Sequence, residues 1–117
     1  MTDLSNKTIL VTGASKGIGA AIVQYLSKSN ANIIAQYCSD KSGMEEVISS
    51  CAEANIVTYQ ADFKNVKEVD NLWKKSISWR NGVDVLINNA AIIRFEGGID
   101  DSDLIWKKTW DDTLAIN

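Results

Sequence analysis

Apolar and polar positions change period repeatedly along this chain. Lys7-Thr8-Ile9-Leu10-Val11-Thr12 is a β-rich run that stops at Gly13, which predicts a first strand. From Gly17 the period lengthens. Gly19, Ile22, Val23 and Leu26 fall on one helical face, predicting a helix that ends near Asn30. Asn32 to Tyr37 predicts a second strand. Ser42-x-x-Glu45 has the form of a capping box, with Val47 and Ile48 inside the helix that follows. Ile56 to Gln60 predicts a third strand, closed by Asp62. Asn65-x-x-Glu68 predicts another cap, after which Val66, Val69, Trp73 and Ile77 step along one face. Gly82 punctuates, and Val83-Asp84-Val85-Leu86-Ile87 predicts a fourth strand. A looser stretch around Gly97-Gly98 precedes a last helix carrying Trp106, Trp110 and Leu114.

Strands therefore alternate with helices, and the strands read as apolar runs instead of in/out alternations. That is the signature of a parallel sheet covered on both faces. Right-handed crossovers then predict an α/β fold, a Rossmann-type doubly wound sheet of about four strands in the order 3-2-1-4.

Composition narrows the function classes. The 117 residues are 45% apolar and 23% charged, with a net charge of −3. They show no basic run or basic helix face, which argues against a nucleic-acid partner. No apolar stretch approaches the roughly 20 residues that cross a bilayer. The N-terminus, Met1 to Asn6, lacks an apolar signal core, so no membrane partner and a cytoplasmic address are expected. Cys38 and Cys51 are the only cysteines and there is no histidine, which excludes the usual zinc patterns.

The candidate chemistry begins at the first strand-to-helix turn. Gly13-x-x-x-Gly17-x-Gly19 lets backbone N–H groups approach a phosphate where a Cβ would obstruct, and seats the next helix tightly on the sheet. The start of that helix offers unpaired N–H groups and a partial positive charge. A dinucleotide is the expected ligand.

Thr12-Gly13-x-x-x-Gly17-x-Gly19, followed by Asn88-Asn89-Ala90, resembles the signature pair of the short-chain dehydrogenase/reductase family. The resemblance covers the whole chain. It implies an NAD(P)-binding Rossmann domain over residues 1–117 that is incomplete at its C-terminus. It further implies cofactor contacts from Thr12, Gly13, Ser15 and Lys16, and from Gly17, Ile18 and Gly19. Asp62 would contact the adenine, Asn88 would tie the central sheet together and Ala90 would back the adenosine ribose, with Phe63, Asn89 and Ala91 as further cofactor-binding residues. Ala91 stands where the family motif ends in glycine. Asn117 resembles the family's catalytic asparagine, here expected to fray as a terminal residue.

The resemblance also bears on the cofactor. NAD-preferring relatives place an acid at the end of strand two, and Tyr37 stands there instead. Lys16 matches a basic position of NADPH-preferring relatives, Cys38 occupies the second usual basic place, and Ser39 can donate one hydrogen bond. NADP(H) is expected over NAD(H). The family's catalytic serine and Tyr-x-x-x-Lys would lie beyond Asn117. The one literal match, Tyr37-Cys38-Ser39-Asp40-Lys41, falls beside the expected adenosine and is read as loop. A small-molecule substrate is expected only if the chain continues. As it stands, strand four is an apolar edge and the last helix has uncovered tryptophans. The isolated chain is therefore expected to be marginally stable or to form a homo-oligomer through those elements.

Overall fold

The structure, a computed structural model, describes residues 3–51, 55–92 and 102–117. The loose stretch around Gly97-Gly98 lies outside them. The elements run β1 (Thr8–Val11), α1 (Gly17–Ser27), β2 (Asn32–Tyr37), α2 (Lys41–Ser49), β3 (Asn55–Gln60), α3 (Val66–Ser78), β4 (Val85–Ile87) and α4 (Asp103–Ile116). One sheet has the order β3-β2-β1-β4, as the alternation predicts, and every pairing is parallel.

Strand pleating divides the apolar side chains between two faces. Ile9, Val11, Ile33 and Ala35 turn toward one face, where they cluster with Ala20 and Val23 of α1 and Met44 and Val47 of α2. Leu10 and Ile34 have the opposite parity and are also buried. After β3 the chain reverses direction across the sheet to place β4 beside β1. A right-handed crossover in that sense puts α3 on the face opposite α1 and α2. Leu72 and Ser76 are its buried residues.

Local rules set the helix starts, with one correction. Asp40, not Ser42, caps α2: its carboxylate accepts from the Gly43 N–H at 3.0 Å, and Ser42 lies inside the helix. An acid one residue before the first helical position satisfies a first-turn orphan amide two residues upstream of Glu45, whose own amide the Ser42 box would have served. Asn65 caps α3 as expected, accepting from Lys67 N–H. Glu68, however, does not reach back to Asn65. Its carboxylate accepts from the Asp62 N–H at 3.2 Å and so braces the turn after β3. The first helix stops at Ser27, short of Asn30, which takes a left-handed φ of 64°.

The faces read as uncovered are open. Val85 and Leu86 of β4 are exposed, and α4 contains no buried residue. Trp106 and Trp110 stand 6.1 Å apart, ring to ring, and remain 48% and 49% exposed. On α3, Trp73 and Ile77 are exposed beside the buried Leu72.

Candidate functional site

Strand order reverses between β1 and β4, and in open α/β sheets ligands bind beyond the strand C-termini at such a reversal. A cleft of about 560 Å³ lies there. Its walls come from the turns after β1, β2, β3 and β4, closed by Ile116 from the last turn of α4.

The β1 turn is shaped by three glycines for three reasons. Gly13 has φ +65°, and a Cβ there would lie 2.9 Å from Ala90 Cα. Gly17 has φ +59° with open space around it, so a side chain would enter the solvent-facing approach to α1. Gly19 is helical, but a Cβ would sit 2.0 Å from the Gly13 carbonyl oxygen and 2.6 Å from Asn89 Nδ2. Its smallness lets the helix close onto the turn itself, a more specific demand than general packing on the core face beside Ile22.

Helix α1 begins without a side-chain cap and without an acid in its first turn. The other helices are capped by Asp40, Asn65 and Ser102. The first-turn amides of α1 are thus left for a ligand, and an anion is the partner that the helix dipole favours.

Thr12 holds the two central turns together and is buried. Its Oγ1 accepts from Asn89 N–H and Ala90 N–H, each at 3.0 Å, and donates to the Ile87 carbonyl at 3.4 Å. Asn89 Nδ2 donates to the carbonyls of Thr12 and Gly13, each at 3.1 Å. The tie between the turns expected of Asn88 is therefore made by Asn89, and Asn88 is exposed. Side chains alternate as the strand leaves Ile87, so residue 89 shares its inward parity and residue 88 faces out.

Gln36 is a site residue that sequence reasoning missed. Its side chain is 2% exposed, accepts from Gly13 N–H at 2.8 Å and donates to the Ala61 carbonyl at 2.8 Å. It locks the β1 turn to the β3 turn through β2. The signal was available: one amide in the otherwise apolar run Ile33-Ile34-Ala35-Gln36 demands buried partners.

The expected cofactor residues divide by place. Gly13, Ser15 and Lys16 line the cleft, as do Ser39, Asp62 and Phe63 from the β2 and β3 turns. Asn89, Ala90 and Ala91 line it from the β4 side. Thr12 and Gly19 lie behind this surface as supports, while Gly17 and Ile18 form the start of α1. Tyr37 is not in the cleft. It lines a separate cavity with Lys41, between α2 and the β2–β3 edge, and the residue that meets the cleft after β2 is Cys38. Again one residue of pleat decides the side.

Asn117 is anchored, against the expectation of fraying. Its Oδ1 accepts from Ile92 N–H at 2.8 Å and its Nδ2 donates to the Ile92 carbonyl at 3.0 Å. This amide-to-peptide pair joins α4 to the chain leaving β4. Ile92 itself lines the cleft.

Charge around the cleft is unevenly committed. Asp62 accepts from Lys64 N–H at 2.9 Å, and Asp40 is occupied as the α2 cap. Burial, and then the Asp62 charge, push the Cys38 thiol above its ordinary pKa. The thiol is therefore neutral at physiological pH.

The fold and this turn geometry define the short-chain dehydrogenase family. Its model, described as short chain dehydrogenase, matches residues 7–117, and the chain belongs to that family. The chain is 38% identical over 92 residues to 3beta-hydroxysteroid dehydrogenase 1 of Eggerthella lenta, covering 77% of this chain and 35% of that protein. It is 34% identical over 116 residues to a 3-oxoacyl-(acyl-carrier-protein) reductase of Staphylococcus epidermidis, covering 96% of this chain and 45% of that one. A solved short-chain dehydrogenase/reductase from Serratia marcescens superposes with a TM-score of 0.85 at 28% identity, covering 97% of this chain and 45% of the other. The chain thus spans less than half the length of these relatives. Members of the family bind a nicotinamide dinucleotide, NAD or NADP. Among the described residues, no helix is long and apolar enough to cross a membrane.

Proposed function

We propose that this chain is the cofactor-binding half of an NADP(H)-dependent short-chain oxidoreductase. The observation that carries the reading is the uncapped, acid-free start of α1 at the mouth of a cleft, reached past a glycine with nothing around it. These residues fit a dinucleotide. Amides at the start of α1 would take the pyrophosphate, with Ser15 and Lys16 beside them. Asp62 and Phe63 would border the adenine, and Ala90 and Ala91 the ribose next to β4. When bound, the nicotinamide exchanges a hydride with a carbonyl or alcohol carbon. The chain's own contribution is to orient the dinucleotide and to hold Ile92 in place through Asn117, a residue we read as part of the catalytic apparatus.

A second reading is a dinucleotide-binding module without catalysis. The Tyr-x-x-x-Lys spacing of Tyr37 and Lys41 lines a different cavity and takes no part in either reading. Reduction of a ketone panel by the 117-residue chain with NADPH would eliminate the second reading.

Binding is tested by titrating NADPH and following its fluorescence. Gly17→Trp puts an indole into the open approach at a left-handed φ of +59° and is expected to abolish the signal change. Normal binding by that variant refutes the assignment of the turn. Lys16→Ala is expected to weaken NADPH by about tenfold, the worth of one charge-assisted contact. NADH should change less. Equal losses for both would refute the preference.

A further inference from the structure

We infer that Lys64, on the turn after β3, is the second cation that recognises the 2′-phosphate of NADP(H), replacing a basic residue at the Cys38 position. The inference rests on the NADP(H) reading of the cleft and goes beyond it by naming a specificity residue on a different loop.

The position just after β2 is where an α/β dinucleotide site meets the adenosine ribose. Here that position is Cys38, a neutral thiol, followed by Ser39. A dianionic phosphate is held by charge-assisted contacts, and Lys16 supplies one of them. The neighbouring strand supplies what β2 lacks. β3 runs parallel to β2 in register through Tyr37 and Gln60, and Ala61 N–H donates to the Tyr37 carbonyl at 3.0 Å. Gln60 Nε2 donates to the Cys38 carbonyl at 2.8 Å. The loop after β3 is therefore fastened alongside the loop after β2. Asp62 then turns the chain by accepting from Lys64 N–H at 2.9 Å, and Glu68 braces that turn from α3. The result places Lys64 in the same cleft wall as Cys38 and Ser39. Its ammonium is near enough to act on the Cys38 thiol, favouring the thiolate against the larger effects of burial and Asp62.

Availability points the same way. Lys64 and Lys16 both line the cleft, and neither makes an ion pair with a described residue. Elsewhere Lys74, Lys107 and Lys108 are paired with acids one turn away. The acids of the cleft rim are held by backbone amides, Asp62 by its own turn and Asp40 by the start of α2. The two lysines are thus uncommitted charges in the cleft that Ser39 also lines, on separate loops that the Gln36 amide locks together.

The test compares Lys64→Ala, Lys64→Arg and Lys64→Glu with the unaltered protein, titrating NADPH and NADH by fluorescence at low and high salt. The expected result is NADPH affinity lower by about tenfold in Lys64→Ala, with NADH changed less than about twofold. Lys64→Arg should restore NADPH binding, and Lys64→Glu should invert the preference. The salt dependence of NADPH binding should become shallower in Lys64→Ala. If the unaltered protein binds NADPH and NADH equally, the NADP(H) reading fails and this inference with it. If it prefers NADPH but Lys64→Ala keeps that preference, the inference alone is overturned. Equal losses for both cofactors would also overturn it, since they would mark Lys64 as a support of the adenine or of the turn.

Discussion

Gly19→Ala is expected to abolish dinucleotide binding while leaving α1 helical. Alanine is the better helix former by about 1 kcal/mol, so helix propensity alone would predict a gain. The new Cβ would instead lie 2.0 Å from the Gly13 carbonyl oxygen and 2.6 Å from Asn89 Nδ2. The first of these is backbone and cannot rotate away. Either α1 slides outward or the β1 turn shifts, and either movement displaces the amides that face the cleft. Overpacking of this kind costs about 1–3 kcal/mol. The expected outcome is a net loss of stability in urea unfolding and no measurable NADPH fluorescence change. A variant that binds NADPH within a few-fold of the unaltered protein would show that the close approach of helix and turn is not required.

Gln36→Leu is expected to give the largest loss of stability for a single side chain in the cleft wall. The side chain is 2% exposed and satisfies two backbone groups, Gly13 N–H and the Ala61 carbonyl. Leucine is of similar size, so the core stays filled, but the Ala61 carbonyl becomes buried and unpaired and the part-buried Gly13 N–H loses its partner. Each such group costs about 1–3 kcal/mol. The sum is a large share of the roughly 5–15 kcal/mol that holds a whole domain. NADPH affinity should fall as well, because Gly13 loses the bond that fixes its left-handed turn. Chemical unfolding and NADPH titration of the same preparation check both effects. Unchanged stability would mean that water replaces the amide, and the brace would lose its significance.

Much of this molecule was legible before any coordinates. The alternation of apolar runs with helical periods dictated the parallel sheet and its order, because only covered strands can be apolar on both faces. The glycines after Thr12 marked the turn, since only they tolerate its close approaches, and the resemblance of the Asn88-Asn89-Ala90 run to the family's motif marked the facing loop. What was misread turns on one residue at a time. Asn89 ties the turns where Asn88 was expected, Cys38 faces the cleft where Tyr37 was expected, and Asp40 caps α2 where Ser42 was expected. Composition and periodicity place such residues within an element, but the parity of a pleat or the first residue of a helix is settled by hydrogen bonds to another segment.

By itself the amino-acid sequence determined the element types, the doubly wound order and the presence of a glycine-shaped turn before the first helix. Those follow from local periods and from glycines that tolerate what other residues do not. Only the tertiary structure decided which side chains meet across the sheet. The Gln36 brace joins residues far apart in the chain, the Asn117 amide pairs with Ile92 across two elements, and Lys64 reaches the cleft by the fastening of β3 to β2. The lone amide of Gln36 signals that partners are needed, but which groups meet, there and at Asn117 and Lys64, depends on two segments being folded at once.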